Sequence, residues 1–280
     1  MKPKSKHVLV TGTSSGIGYG AAKELIGRGY HVFGSVRRKE DGERVRSELS
    51  EKFIPLVFDV TDQAAIDHSV DEVRKHLGNS GLAGLINNSG VSVSGPIEHL
   101  DIEKVAHNFN VNVFGIFRVT KAFLPLLGTQ NNHPTEPGRI LNIGSIAGKI
   151  CAPYMAPYTG TKHAVEGISH CLRRELLPYG IDVIIVGPGG VQTPIWDKGS
   201  LQEFKQTKYM GSMVKFFTYF VNSGRNGMSL EECSQKIADI FESRKPKVRY
   251  ALIQGKFKGW VLPLIMPPRM LDNYILRNLM

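Results

Sequence analysis

Hydrophobic and polar positions along the 280-residue chain alternate between two periods. Short, branched, nearly continuous apolar runs occur at His7–Val10, His31–Val36, Ile54–Phe58, Leu82–Ile86, Arg139–Ile143, Ile181–Val186 and Val248–Ile253. Such runs predict strands covered on both faces. Between them, apolar residues recur at helical spacing at Ala21, Ala22, Leu25 and Ile26 behind the first strand, over Ile102–Leu127, Ala156–Leu177 and Leu230–Phe241, while Glu40–Glu51 reads as a charged helix and another helix begins at Gln63. Strand and helix alternate without a break long enough for a second domain. The pattern predicts one α/β domain over residues 1–280, with a parallel, doubly wound sheet and helices on both faces. The period blurs from Ile195 to Asn226, where Met210, Met213, Phe216, Phe217, Tyr219 and Phe220 gather. Met and Phe at this spacing are most often core; between two α/β units they also suit a lid over a lipophilic ligand. Residues from about 255 to 280 form a tail.

The punctuation between elements carries the first chemistry. The opening strand runs into Thr11-Gly12-Thr13-Ser14-Ser15-Gly16-Ile17-Gly18 and then a helix. Glycines here permit a tight turn, close approach to a pyrophosphate and close helix packing, with the anion at the helix start. The spacing is G-x-x-x-G-x-G. At the end of the second strand an acid would bind a ribose 2′-hydroxyl, and an arginine a 2′-phosphate. Arg37 and Arg38 stand there, with no acid before Glu40, so NADP(H) is favoured over NAD(H); the alternative is two exposed loop charges. Asp59, at the third strand's end, could contact an adenine amino group, while Thr61 or Asp62 could cap the next helix. Asn87-Asn88-Ser89-Gly90 closes the fourth strand where open α/β sheets bind ligands, or is a plain turn. Asn110 and Asn112 interrupt the long helix and should have partners or a purpose there. Gly187–Pro194 reads as a rigid exposed loop.

Tyr158 and Lys162, four apart on one predicted helix face, form the strongest constellation, with Ser145 thirteen residues upstream of the tyrosine at a strand end. Tyr19 and Lys23 repeat the spacing without such a serine and read as a decoy. A free phenol titrates near ~10, so working near neutrality takes roughly 4 kcal/mol. One ammonium at ~4 Å supplies about that much at an effective dielectric near 20. Lys162 is therefore expected to lower the Tyr158 pKa, and Ser145 to orient the carbonyl that Tyr158 protonates.

Composition narrows the classes. Hydrophobic content of 41% and charge of 21% describe a soluble globular chain. Three widely spaced cysteines suggest a reducing compartment, and nine histidines without HExxH or an i,i+4 pair argue against a metal site. The net charge of +10 is uneven: 22 basic against 19 acidic residues over 1–200, but 13 against 6 over 201–280. A solvated face, an anionic cofactor or a membrane surface would each account for it. Nucleic acid is not expected, since no reading motif accompanies the charge. The N-terminus lacks the apolar core of a secretory signal, and Trp260–Pro268 is too short and proline-rich to span a bilayer. The expected location is cytoplasmic, with peripheral membrane contact through the basic tail carrying Trp260, Leu262 and Ile265; packing on the domain or in a dimer contact is the alternative.

Taken in order, Thr11-Gly12-x3-Gly16-x-Gly18, Asp59-Val60, Asn87–Gly90, Asn112–Gly115, Ser145, Tyr158-x3-Lys162 and Pro188-Gly189 resemble the short-chain dehydrogenase/reductase family in its classical form, over nearly all of residues 7–193. The resemblance implies a Rossmann-type fold and hydride transfer between NADP(H) and an alcohol or carbonyl group. It implies that Asn112 holds a water linking Lys162 to solvent. It further implies that Lys162 binds the nicotinamide ribose and that Val191 and Thr193 touch the nicotinamide end. Ser89 stands where alanine is usual, and Thr159-Gly160-Thr161 where Ser-Ala-Ser is frequent. Residues 169–180 are similar to the hydroxysteroid and retinol dehydrogenase branch. The expectation is a homodimer or homotetramer acting on a lipophilic alcohol or carbonyl such as a steroid or retinoid. Alternatives are a reductase of small polar or acyl carbonyls and a cofactor-sensing protein without turnover. A methyltransferase would have no use for the serine, tyrosine and lysine together, and a sugar epimerase typically carries a different glycine loop on a longer chain.

Overall fold

Seven strands build the sheet in the computed structural model, which describes residues 2–197 and 201–279. They are β1 (His7–Val10), β2 (His31–Val36), β3 (Phe53–Val57), β4 (Gly84–Asn87), β5 (Arg139–Ile143), β6 (Asp182–Pro188) and β7 (Arg249–Leu252). Their order is β3-β2-β1-β4-β5-β6-β7, and every pair is parallel. Side chains alternate between the two faces. Val8 and Val10 of β1 pack with Ala21 and Leu25 of α1 (Gly16–Gly27). Val45 of α2 (Lys39–Leu49) lies on that face too. Leu9 faces the other way, toward Ile66 and Val73 of α3 (Gln63–Leu77). The doubly wound architecture read from the alternation is the one observed, and strand ends differ from expectation by one or two residues.

The stretch expected as one helix over Ile102–Leu127 is α4 (Ile102–Phe109), a π turn at Asn110–Phe114, α5 (Gly115–Leu124) and a second π turn at Pro125–Thr129. Among the described residues this 28-residue run is the one helix long and apolar enough to cross a membrane, but 56% of its most apolar window is buried within the fold. α6 (Ala156–Glu175) follows β5. Beyond β6 lie 3-10 turns at Pro194–Asp197 and Gln202–Phe204, then α7 (Met210–Arg225) and α8 (Leu230–Glu242). Residues 198–200 of the expected lid lie outside the described residues. The C-terminal segment is helical: a π turn at Phe257–Val261, α9 (Leu262–Ile265) and α10 (Pro268–Leu279), which packs on α7.

Parallel strands bring their carboxyl ends to one edge. The strand order reverses between β1 and β4, and that is the crevice where open α/β sheets bind ligands.

Candidate active site

The glycine loop sits at that reversal. Gly12 and Gly16 hold left-handed φ values of 71° and 62°, and a Cβ on Gly18 would lie 2.3 Å from the Gly12 carbonyl oxygen. The loop is pinned to β2: Gly12 N–H donates to Ser35 Oγ at 3.0 Å, and Thr13 donates to the Ser35 carbonyl through N–H at 2.9 Å and Oγ1 at 3.0 Å. Arg44 donates to the Ser14 carbonyl at 2.7 Å, and Ile17 packs on the core beneath. Ser15 is the N-cap of α1 but makes no side-chain cap bond, and no acid occupies the first turn. The first-turn N–H groups are thereby left for an anion.

The structure separates the two arginines. Arg38 is paired with Asp41 at 2.9 Å, whereas Arg37 is exposed and makes no hydrogen bond or ion pair to any described residue. Asp59 accepts from Thr61 N–H at 2.9 Å and Oγ1 at 2.7 Å, and the cap of α3 is Asp62, accepting from Ala65 N–H at 3.0 Å. Val60 is buried against Gly115.

Asn87 does not point its amide at the crevice. It donates to Thr120 Oγ1 at 3.1 Å and Asn142 Oδ1 at 2.9 Å, and Asn142 donates to Ser169 at 2.8 Å, all in the core. Asn88 instead braces the loop, donating to the carbonyls of Thr11 at 2.8 Å and Gly12 at 3.1 Å. Ser89 N–H donates to Thr11 Oγ1 at 3.0 Å, and Gly90 lies against Asn112. Pro188 ends β6, and Gly189 N–H donates to the Leu252 carbonyl at 2.8 Å. Val191 bridges to Met228 and accepts from Trp196 Nε1 at 2.6 Å. Thr193 stands over Gly16, where an added Cβ would meet it at 3.7 Å.

Ser145 stands two residues beyond the end of β5, with its Oγ accepting from Ala147 N–H at 3.0 Å. Tyr158 and Lys162 lie one turn apart on α6. Lys162 Nζ donates to the Ile143 carbonyl at 2.9 Å and stands 5.7 Å from the centroid of the Tyr158 ring. Burial raises the Tyr158 pKa above its ordinary value, while a hydrogen bond with Ser145 pulls it down. Burial also lowers Lys162 to about 8. The expectation that Lys162 lowers the phenol is therefore corrected. The low-dielectric surroundings that hold both side chains penalise the charged form of each, and that penalty wins. Near neutral pH the phenol carries its proton and is a donor.

Asn112, on the first π turn, is fully engaged. Its Oδ1 accepts from Val91 N–H at 2.8 Å, and its Nδ2 donates to the Val91 carbonyl at 2.8 Å and to Thr161 Oγ1 at 3.0 Å. Thr11 and Thr161 were named from the sequence as motif positions without a role. Their only signal was that place inside a motif, and the partners that give them a purpose, Ser89 and Asn112, lie 78 and 49 residues away. Tyr19, the decoy, hydrogen-bonds Glu48.

The family model described as short chain dehydrogenase matches residues 6–203. Across 98% of this chain and 97% of the relative, the sequence is 36% identical to an NADPH-dependent 3-dehydrocapnine reductase from Ornithobacterium rhinotracheale. It is 32% identical to retinol dehydrogenase 16 from Mus musculus over 76% of this chain and 70% of that protein. A solved short-chain dehydrogenase from Streptomyces avermitilis superposes with a TM-score of 0.77 at 26% identity, covering 98% of this chain and 96% of that one.

Proposed function

The chain belongs to the short-chain dehydrogenase family, a family of NAD(P)-dependent oxidoreductases, and from that premise we propose that it interconverts a lipophilic carbonyl compound and its alcohol with NADP(H). The observation that carries the reading is geometric: Ser145 stands two residues beyond β5, and Tyr158 and Lys162 lie one turn apart on α6, with Lys162 buried and its Nζ held by the Ile143 carbonyl. The residues present fit the dinucleotide. The glycine loop and the uncapped start of α1 suit a pyrophosphate, and Arg37 is disposed for a 2′-phosphate. Asn88 and Ser89 lie against Gly12, and Thr193 stands over Gly16, so both segments border the glycine loop. When bound, the dinucleotide supplies or accepts the hydride.

The chain's own part concerns the oxygen. Ser145 Oγ holds the carbonyl oxygen, and the Tyr158 phenol gives it a proton in reduction or takes one in oxidation. Lys162, largely charged near neutral pH, stabilises the phenolate that remains. Thr161, through Asn112, fixes the π turn to α6. A lipophilic substrate is supported by the lid. The rings of Tyr154 and Phe216 meet at 5.9 Å, Phe216 and Phe220 at 5.7 Å, and Trp196 and Phe220 at 5.2 Å. The names of the relatives, a 3-dehydrocapnine reductase and a retinol dehydrogenase, agree with that class. For the basic C-terminal tail, contact with an anionic membrane surface is proposed as well.

A turnover screen with NADPH and NADP⁺ across 3-dehydrocapnine, retinol and short polar ketones tests the proposal. Tyr158→Phe should lose on the order of 10²- to 10⁴-fold in turnover while still binding NADPH. Wild-type turnover in that variant would remove the mechanism.

A further inference from the structure

Behind Ser145 lies a charged cluster that the mechanism above does not use. Glu166 stands one turn beyond Lys162 on α6, continuing the face of Tyr158 and Lys162, and is only 3% exposed. Arg249, the first residue of β7, donates through Nε to Glu166 Oε1 at 2.8 Å and through Nη2 to the Ser145 carbonyl at 3.2 Å. Lys149 Nζ stands 3.6 Å from the other carboxylate oxygen. The ring of Trp260, from the C-terminal π turn, lies 4.2 Å from the guanidinium carbon. Gly187 makes the reach possible, since a Cβ there would come within 2.7 Å of Nη2.

A buried ion pair is a poor way to add stability, because desolvation offsets most of the attraction. What it does well is fix geometry. A guanidinium is a rigid, planar fork that serves two acceptors at a fixed angle, where an ammonium is a compact point charge on a flexible stem that imposes no such angle. Here one acceptor sits on the helix carrying Tyr158 and Lys162. The other is the backbone of the residue whose hydroxyl must meet the same carbonyl oxygen.

We propose that Arg249 is a positioning residue for the reaction read above. Its fork holds the Glu166 carboxylate and the Ser145 carbonyl in one frame, which sets the Ser145 hydroxyl against Tyr158. Trp260 fixes the plane of the guanidinium and so makes the C-terminal segment part of the active-site support. The inference rests on the oxidoreductase reading and extends it to residues beyond the family-matched stretch, which ends at 203.

The test compares wild type, Arg249→Lys, Trp260→Leu and Tyr158→Phe on the carbonyl of the screen that wild type reduces fastest, with NADPH affinity and melting temperature measured alongside. Arg249→Lys keeps a cation for Glu166 but loses the fork. Its kcat should fall about tenfold or more, as a small misplacement of a reacting group does, with KM and NADPH affinity unchanged. Trp260→Leu leaves the ion pair intact and should lose about threefold in kcat, the size of one cation–π contact. Methylguanidinium added to Arg249→Gly should restore part of the lost kcat. A kcat at wild-type level in Arg249→Lys, or a loss that only tracks the unfolded fraction, overturns the proposal. If Arg249→Lys does not fold, Trp260→Leu at wild-type kcat overturns it. An active Tyr158→Phe would instead remove the oxidoreductase mechanism itself, so the two failures are told apart.

Discussion

Lys162 is an ammonium folded into a place that disfavours its charge. Its pKa falls from 10.5 to about 8. Below that value both the folded and unfolded chains hold the proton, and the full cost of burial is present, on the order of 3 kcal/mol. As pH rises from 8 toward 10.5, the folded chain releases its proton first and the cost fades. Lys162→Met keeps the length and removes the charge, at the loss of the bond to the Ile143 carbonyl, worth about 1 kcal/mol. The variant should therefore melt above wild type near neutral pH, with the gap closing as pH is raised, while turnover is lost. Melting curves across pH decide this, and a lower melting temperature at neutral pH would contradict it. Arg37 supports a second test at this scale. Arg37→Ala removes a charge-assisted contact to a 2′-phosphate, so NADPH should bind about tenfold or more weakly and NADH as before; an unchanged ratio of affinities would end the case for NADP(H). Ser145, Tyr158 and Lys162 were legible because strand end and helix spacing are local. The directions of their pKa values were not, because burial is decided by the whole fold.

Elements were legible where one period ruled. The strands of β1, β2 and β5 were plain, since both faces are buried and the runs are short. α7 was not, because Met213 and Phe216 are buried while Val214 and Tyr219 on the same helix are exposed, so no single apolar stripe marks it. The C-terminal helices hid behind Pro263, Pro267 and Pro268, yet Pro263 lies in the first turn of α9 and Pro268 begins α10, where the missing N–H costs nothing. The two asparagines of the long helix were noticed, but a π turn could not be inferred from them. α7, the helix read as part of a lid, is tied through Tyr154 to the segment between Ser145 and α6. Tyr154 adopts a left-handed φ of 62°, which for a bulky side chain costs about 1–3 kcal/mol. It is held there by Gly95 N–H donating to its carbonyl at 2.7 Å, by Ser212 of α7 at 2.5 Å from its hydroxyl, and by the ring of Phe216. Tyr154→Phe removes the tie to α7 and keeps the ring. The fold should lose about 1 kcal/mol, and KM should rise for the long lipophilic carbonyl while small ketones are unaffected. Equal KM changes for both would mean that this tie does not shape the lid.

For the whole molecule, part of the uneven charge lies in the C-terminal tail. Residues 256–279 carry Lys256, Lys258, Arg269 and Arg277 against Asp272, and α10 turns Leu271 and Ile275 toward the body while Met270, Tyr274 and Leu276 stay exposed. Phe257 and Ile265 are exposed as well, at 65% and 68%. Scattered apolar side chains on a surface are ordinary, but here they share with cations a segment that packs against α7, the helix proposed as a lid. A substrate that dissolves in lipid would reach the lid from the bilayer, and a tail seated on that bilayer would bring the lid to it. With about 1 kcal/mol for each cation near an anionic surface, a net three charges give roughly a hundredfold preference for anionic over neutral vesicles. Co-sedimentation with phosphatidylserine-containing vesicles should therefore be strong, weak with phosphatidylcholine alone, and reversed near 1 M salt, where the screening length shrinks to about 3 Å. Changing Lys256, Lys258, Arg269 and Arg277 to glutamine should abolish it without touching kcat on a water-soluble ketone, since none of the four contacts the crevice residues described above. If the tail instead covers a second copy of the chain, light scattering will show a dimer that separates on substitution of Phe257 and Ile265, and the vesicles will bring down nothing. The two outcomes exclude each other because the same apolar face cannot be buried in a partner and in a membrane at once.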